Sequence, residues 1–146
     1  MRVLLRGNEL KEIQNIQLGD EVISQNSRTG EREMGIVTEI IVNKEYVKDC
    51  ITINNSLKLT ADHPVWDEGQ KSWKNAGKVV LDDILLHFEG YEVKVRKIKR
   101  FRKKQTVFNI HVSSVAKSYF AEGVLVRDYG KGEYPVLYVD EPNKVY

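Results

Sequence analysis

Ile16-Gln17-Leu18-Gly19-Asp20-Glu21-Val22-Ile23 and Val79-Val80-Leu81-Asp82-Asp83-Ile84-Leu85-Leu86 are two versions of one pattern. Each runs from apolar residues through a tight polar turn into an apolar strand. Each is followed by a long pair of β-favouring runs, and each pair by one shorter run, residues 57–60 and then 119–126. The period of about 60 residues exceeds the 20 to 50 of solenoids and propellers. Two pseudo-symmetric halves of one domain are therefore expected.

Working outward, short β-favouring runs alternate with turn residues, and amphipathic helical patterns are scarce. The expected strands are Arg2 to Leu5, Glu21 to Ser24, Ile36 to Val42, Tyr46 to Ile53, Leu57 to Thr60, Ile84 to Phe88, Tyr91 to Phe101, Thr106 to Val112 and Tyr119 to Val126. Gly7-Asn8, Gly19-Asp20, Asn54-Asn55 and Glu89-Gly90 supply turns, by positive φ or by side-chain hydrogen bonds to the backbone. Only Ser72 to Val79 reads as weakly helical. The expected fold class is all-β. Residues 1–128 make one domain, and 129–146 a C-terminal tail in which Tyr134 to Val139 is a candidate edge strand.

A chain of 146 residues, 41% hydrophobic and 30% charged, suits one soluble domain with a buried core. No apolar run approaches the roughly 18 residues that span a bilayer, so no membrane partner is expected. Arg2, Arg6 and Glu9 interrupt any signal-peptide pattern in the opening residues, which speaks for these residues alone. The net charge of +2 implies no polyanion partner. Lysines and arginines do crowd Lys94 to Lys104, with Val95, Ile98 and Phe101 between them, as on a solvated strand face. One cysteine, Cys50, excludes an internal disulfide framework and a cysteine zinc site. It reads as a buried structural thiol. His87 and His111 lack partner spacing, so no metal and no cofactor are expected. A monomer is expected, and the cytoplasm is favoured although the compartment stays undetermined.

The chemistry concentrates in Leu57-Lys58-Leu59-Thr60-Ala61-Asp62-His63-Pro64-Val65-Trp66. A strand ends in a hydroxyl, and an imidazole follows three residues later, restricted to extended backbone by Pro64. Such a pair can act on one peptide bond, the hydroxyl binding the amide and the imidazole protonating its nitrogen as it leaves. Taken alone, the same residues also describe a threonine in a local side-chain turn beside a surface histidine.

Three segments together resemble the Hint family, the Hedgehog and intein autoprocessing domains. Val3 to Ile13 with Leu18-Gly19-Asp20-Glu21-Val22 is similar to the family's opening segment, downstream of its nucleophile. Leu59 to Pro64 resembles its threonine and histidine motif. Val107-Phe108-Asn109-Ile110-His111-Val112 and Tyr119 to Val126 resemble its two closing strands. The resemblance implies a pseudo-two-fold, all-β horseshoe whose substrate is its own flanking polypeptide. A cysteine or serine attacks the preceding carbonyl in an N-to-S or N-to-O acyl shift, with Thr60 and His63 binding and protonating the scissile amide. By the same resemblance Asn109 occupies the position where some inteins carry an internal cysteine, and Asp128 that of the terminal asparagine.

The departures shape the expected function. The family's nucleophile would lie a few residues before Met1, so the chain as given is expected to be inert. Arg127 cannot shuttle a proton near neutral pH, and Asp128 lacks the amide nitrogen that cyclisation needs. Lys117 stands where splicing members often place a histidine. Cleavage at the N-terminal side is expected over splicing. The competing functions are a non-catalytic Hint relic that binds a protein partner, and a basic β-sheet binding nucleic acid through Lys94 to Lys104; the balancing acids weigh against the latter.

Overall fold

The computed structural model describes residues 1–128 and 137–139. Its strands are β1 (Arg2–Leu4), β2 (Leu10–Glu12), β3 (Glu21–Gln25), β4 (Arg32–Ile53), β5 (Leu57–Thr60), β6 (Pro64–Asp67), β7 (Ser72–Asn75), β8 (Ile84–Leu86), β9 (Glu92–Lys94), β10 (Ile98–Val112), β11 (Ser118–Ala121), β12 (Val124–Arg127) and β13 (Leu137–Val139). Three 3-10 turns, Arg6–Asn8, Ile13–Asn15 and Ala76–Lys78, are the only helical elements among the described residues. One sheet runs β2-β1-β11-β12-β6-β8-β9, with β7 also paired to β6, and the other β10-β13-β5-β4-β3, with β10 also paired to β4. The expected all-β class holds.

The sequence echo is a structural repeat. Lys11, Ile13, Gln17, Asp20 and Val22 correspond to Lys74, Ala76, Val80, Asp83 and Leu85, each 63 residues on. In the first half Asp20 Oδ2 accepts the Gln17 N–H at 2.9 Å and Lys11 Nζ at 2.9 Å. In the second, Asp83 Oδ2 accepts the Val80 N–H at 2.9 Å and Lys74 Nζ at 3.0 Å. Val37 donates to the Asp20 carbonyl at 2.9 Å, as Val95 does to Asp83 at 2.8 Å. The hairpin of β1 and β2 answers that of β6 and β7, and the pair flanks the β11–β12 hairpin on its two sides, Val3 opposite Ala121 and Val65 opposite Val126. The core inherits the symmetry: Leu4 with Trp66 and Ile23 with Leu86 meet in one buried cluster around Phe120 and Leu125.

Local reading and structure part where pairing overrides it. The runs Ile36 to Val42 and Tyr46 to Ile53 are one 22-residue strand, β4. β10 pairs along both runs and across the polar residues between them, an irregularity near Thr106 absorbing the register shift. Ser72 to Val79 is not one helix: its first half, β7, hairpins onto β6 with Trp66 opposite Trp73, the rings edge to face at 5.4 Å, and its second half holds the 3-10 turn Ala76–Lys78. Cross-strand aromatic packing outweighs a weak local preference. Tyr91 to Phe101 breaks in the middle because Asn54 Oδ1 takes the N–H groups of Arg96 and Lys97 at 2.8 and 3.1 Å. Tyr119 to Val126 splits into β11 and β12 at Glu122-Gly123, both with positive φ. Of the candidate tail strand, Leu137–Val139 pairs with both β10 and β5 and so is not an edge; residues 134–136 lie outside the described residues.

Candidate functional site

β5 runs into the site because Leu57 and Leu59 are anchored in the core, which delivers Thr60 at the strand's end. Thr60 is completely buried and His63 almost so. The turn joining them is fixed at four points. His63 N–H donates to the Thr60 carbonyl (3.0 Å), Ala61 N–H to Asp49 (2.9 Å), Gly77 N–H to Ala61 (2.7 Å) and Ala76 N–H to His63 (2.9 Å). The 3-10 turn Ala76–Lys78 thus braces the turn that carries the histidine. Arg100 ties this turn to β10, donating to the carbonyls of Gly77 and Val79 at 2.8 and 3.1 Å. A buried hydroxyl and a buried imidazole held by rigid backbone suit the binding and protonation of an amide.

Asp128 reaches the same region from β12. Asp128 directly follows β12, in which Val126 faces Val65 of β6, and His63 directly precedes β6. Asp128 is buried, its N–H donating to the Lys117 carbonyl at 2.6 Å. Its Oδ2 accepts the Val112 N–H at 2.7 Å, and its Oδ1 lies 2.8 Å from His111 Nδ1. Burial, reinforced by the charge of Asp128, holds the neighbouring Tyr119 hydroxyl far above its usual pKa. Lys117 and Arg127, which the sequence resemblance sets where splicing members carry histidines, are turned to structure. Lys117 Nζ donates to the Val112 carbonyl at 2.9 Å, and the Arg127 guanidinium lies 5.5 Å from the centre of the Trp73 ring.

The other sequence candidates fall as follows. Asn109 lies in β10 opposite Ile41, placed by its backbone alone, its side chain outside the described part. Cys50 is buried as expected, yet it lies directly opposite Thr60 across β4 and β5, and a cavity of about 430 Å³ lies between Cys50, Ala61, Gly77, Arg100 and Phe101. A larger cavity of about 700 Å³, lined by His87, Tyr91 and Lys94, is at the opposite end of β12, around Val124, away from Thr60 and His63. No metal-binding cluster occurs among the described residues. No helix among them is long and apolar enough to cross a membrane. The contact between His111 and Asp128 is what sequence reasoning missed: seventeen positions separate the two residues, and only the pairing of β10 and β12 with their neighbours closes the gap.

Comparison with known proteins gives this geometry its relatives. The model of the pretoxin HINT domain matches residues 3–130. A bacterial intein-like domain from Clostridium thermocellum is similar at 30% identity and a TM-score of 0.73, over 86% of this chain and 94% of that one. The DnaB intein from Synechocystis sp. PCC 6803 shares the fold at 14% identity and a TM-score of 0.68, over 88% of this chain and 94% of its own. The DnaX mini intein from Spirulina platensis does so at 19% identity and a TM-score of 0.69, over 86% and 95%. A search of curated proteins found no match. The all-β pseudo-two-fold horseshoe is that of the intein-like domains, which act on their own flanking polypeptide. The chain belongs to the pretoxin HINT domain family, and with it to the self-processing Hint domains.

Proposed function

We propose that the domain cleaves the peptide bond ahead of a nucleophile carried on the segment that leads into Met1, by an N-to-S or N-to-O acyl shift. The side chain of a cysteine or serine there adds to the preceding carbonyl, and the C–N bond breaks as a thioester or ester forms. Thr60 binds the scissile amide, and His63 delivers the proton that lets its nitrogen leave as an amine.

The internal symmetry carries this reading. The carbonyls of Met1 and His63 are equivalent, taking the N–H of Ile13 at 2.7 Å and of Ala76 at 2.9 Å, each at the start of a matching 3-10 turn. The segment ahead of Met1 is then the counterpart of β5, which enters His63. β5 pairs with residues 50–53 of β4. The 58-residue offset that relates Val37 to Val95 carries those residues to 108–111 of β10. A segment leading into Met1 is therefore expected to run antiparallel along residues 108–111, with β5 on its other side. β13 uses part of this edge, Leu137 lying opposite both Phe108 and Leu59. A scissile bond in that position has Thr60 and His63 on one flank, and His111 and Asp128 on the other.

The test joins a short peptide with a cysteine a few residues ahead of Met1 in the full chain. A small thiol should release the upstream piece by exchange with the thioester, and His63→Ala should slow release about 100-fold or more, the usual worth of a positioned general acid. A folded protein that stays intact in thiol, or a His63→Ala variant that cleaves equally fast, refutes the reading. Complete inertness would favour the relic that binds a protein partner.

A further inference from the structure

We infer that His111 is the general base that resolves the acyl intermediate with water, and that Asp128 is the residue that orients it; this rests on the cleavage reading above. The imidazole sits in β10 next to the edge along which the segment ahead of Met1 is expected to lie. Asp128 is immobilised by the Val112 N–H on Oδ2 at 2.7 Å, so its Oδ1, 2.8 Å from His111 Nδ1, defines one ring orientation. With Nδ1–H donating to that oxygen, Nε2 carries the free lone pair. This nitrogen is buried, has no hydrogen-bond partner among the described residues, and faces Glu39 Oε2 at 3.7 Å. The Glu39 side chain is 49% exposed, so the group that Nε2 faces is itself in contact with solvent. The basic side chains at 117 and 127 are turned to other partners, Lys117 to the Val112 carbonyl and Arg127 to the Trp73 ring.

The step balances without a further reactant. Nε2 takes one proton from water as the oxygen adds to the thioester carbonyl. The C–S bond then breaks, the upstream piece leaves as a carboxylic acid, and the imidazolium returns its proton to the thiolate. Asp128 stabilises the imidazolium through its Oδ1, 2.8 Å from Nδ1. Asp128 and His111 thereby do what asparagine cyclisation does in splicing members: they empty the acyl intermediate, here towards water.

The experiment compares release with and without added thiol in the full chain carrying the upstream cysteine peptide. A small thiolate attacks the thioester without a general base, whereas water does not. His111→Gln should lower the ratio of thiol-free to thiol-driven release by about 100-fold and abolish the rise of the thiol-free rate with pH. Asp128→Asn, whose amide has one acceptor oxygen for the two donors Val112 N–H and His111 Nδ1–H, should lower the same ratio with a smaller change in the pH profile. Thiol-driven release in each variant reports that the fold and the acyl shift survive. An unchanged ratio and pH profile in His111→Gln overturns the inference, as does a parent protein that releases in thiol and never in water. A parent that fails even in thiol instead overturns the cleavage reading.

Discussion

Lys74 and Lys11 occupy matching positions in the two halves, and replacing each by methionine separates what the repeat shares from what it does not. Lys74 Nζ lies 2.9 Å from Asp67 Oδ2 and 3.0 Å from Asp83 Oδ2, with side chains 16%, 2% and 11% exposed. Lys11 has one acid, Asp20 at 2.9 Å, and the two side chains are 28% and 21% exposed. Lys74→Met leaves two carboxylates facing one another, one of them fully buried. Removing one partner of a buried ion pair costs about 3–5 kcal/mol. Backbone N–H groups of Gln70 and Val80 still serve the two acids, so about 3 kcal/mol is expected. Lys11→Met should cost no more than about 1 kcal/mol, as for an accessible pair. In urea, with a slope of about 2 kcal/mol per M, the midpoints should fall by about 1.5 M and at most 0.5 M.

The alkaline limb supplies a second readout of the same pair. Burial pulls the Lys74 pKa down, but the hydrogen bonds and charges of Asp67 and Asp83 more than offset it, leaving it above its ordinary value. A raised lysine pKa stabilises the fold fully below the unfolded value of about 10.4, and that contribution is lost as pH rises through the folded value. The parent should therefore lose stability above about pH 10.4 through this group, and Lys74→Met should lack that component. Equal midpoint losses in the two variants, or an unaltered alkaline limb in Lys74→Met, would show that the buried acids do not depend on this cation. Because β7 leads directly into the 3-10 turn whose Ala76 N–H holds the His63 carbonyl, slower release in the extended protein should accompany the lost stability.

Gly77→Ala addresses the site more directly. A Cβ there would stand 3.0 Å from the Ala61 Cβ and 3.1 Å from the Ala61 carbonyl oxygen, so the turn between Thr60 and His63 must shift; a stability loss of about 1–3 kcal/mol and slower thiol-driven release are expected, measured by urea unfolding and by gel, and a variant matching the parent in both would remove the bracing role given to this turn. Joining a segment ahead of Met1 should displace β13 from the edge of β10, so hydrogen exchange of the amides of residues 137–139 should quicken; unchanged protection would place the incoming segment elsewhere.

Periodicity and turn chemistry are local properties, and what they encode was legible without coordinates. The echo of residues 16–23 in 79–86 revealed two halves, since the same aspartate turn is built from the same short-range hydrogen bonds in both. The turns at Gly7-Asn8, Asn54-Asn55 and Glu89-Gly90 were legible for the same reason: positive φ is a demand on one or two residues. Thr60 and His63 stood out as candidates through the resemblance of Leu59 to Pro64 to the family's threonine and histidine motif, since their spacing alone fits a local turn as well. What pairing decides was hidden. Two runs fuse into β4 because β10 supplies a partner along both, a weakly helical stretch becomes β7 because Trp73 packs on Trp66, and His111 meets Asp128 through strands distant in the chain. A side chain's own neighbours in sequence set its backbone preference, but its partner across a sheet depends on register, and register is fixed only when the whole core is buried at once.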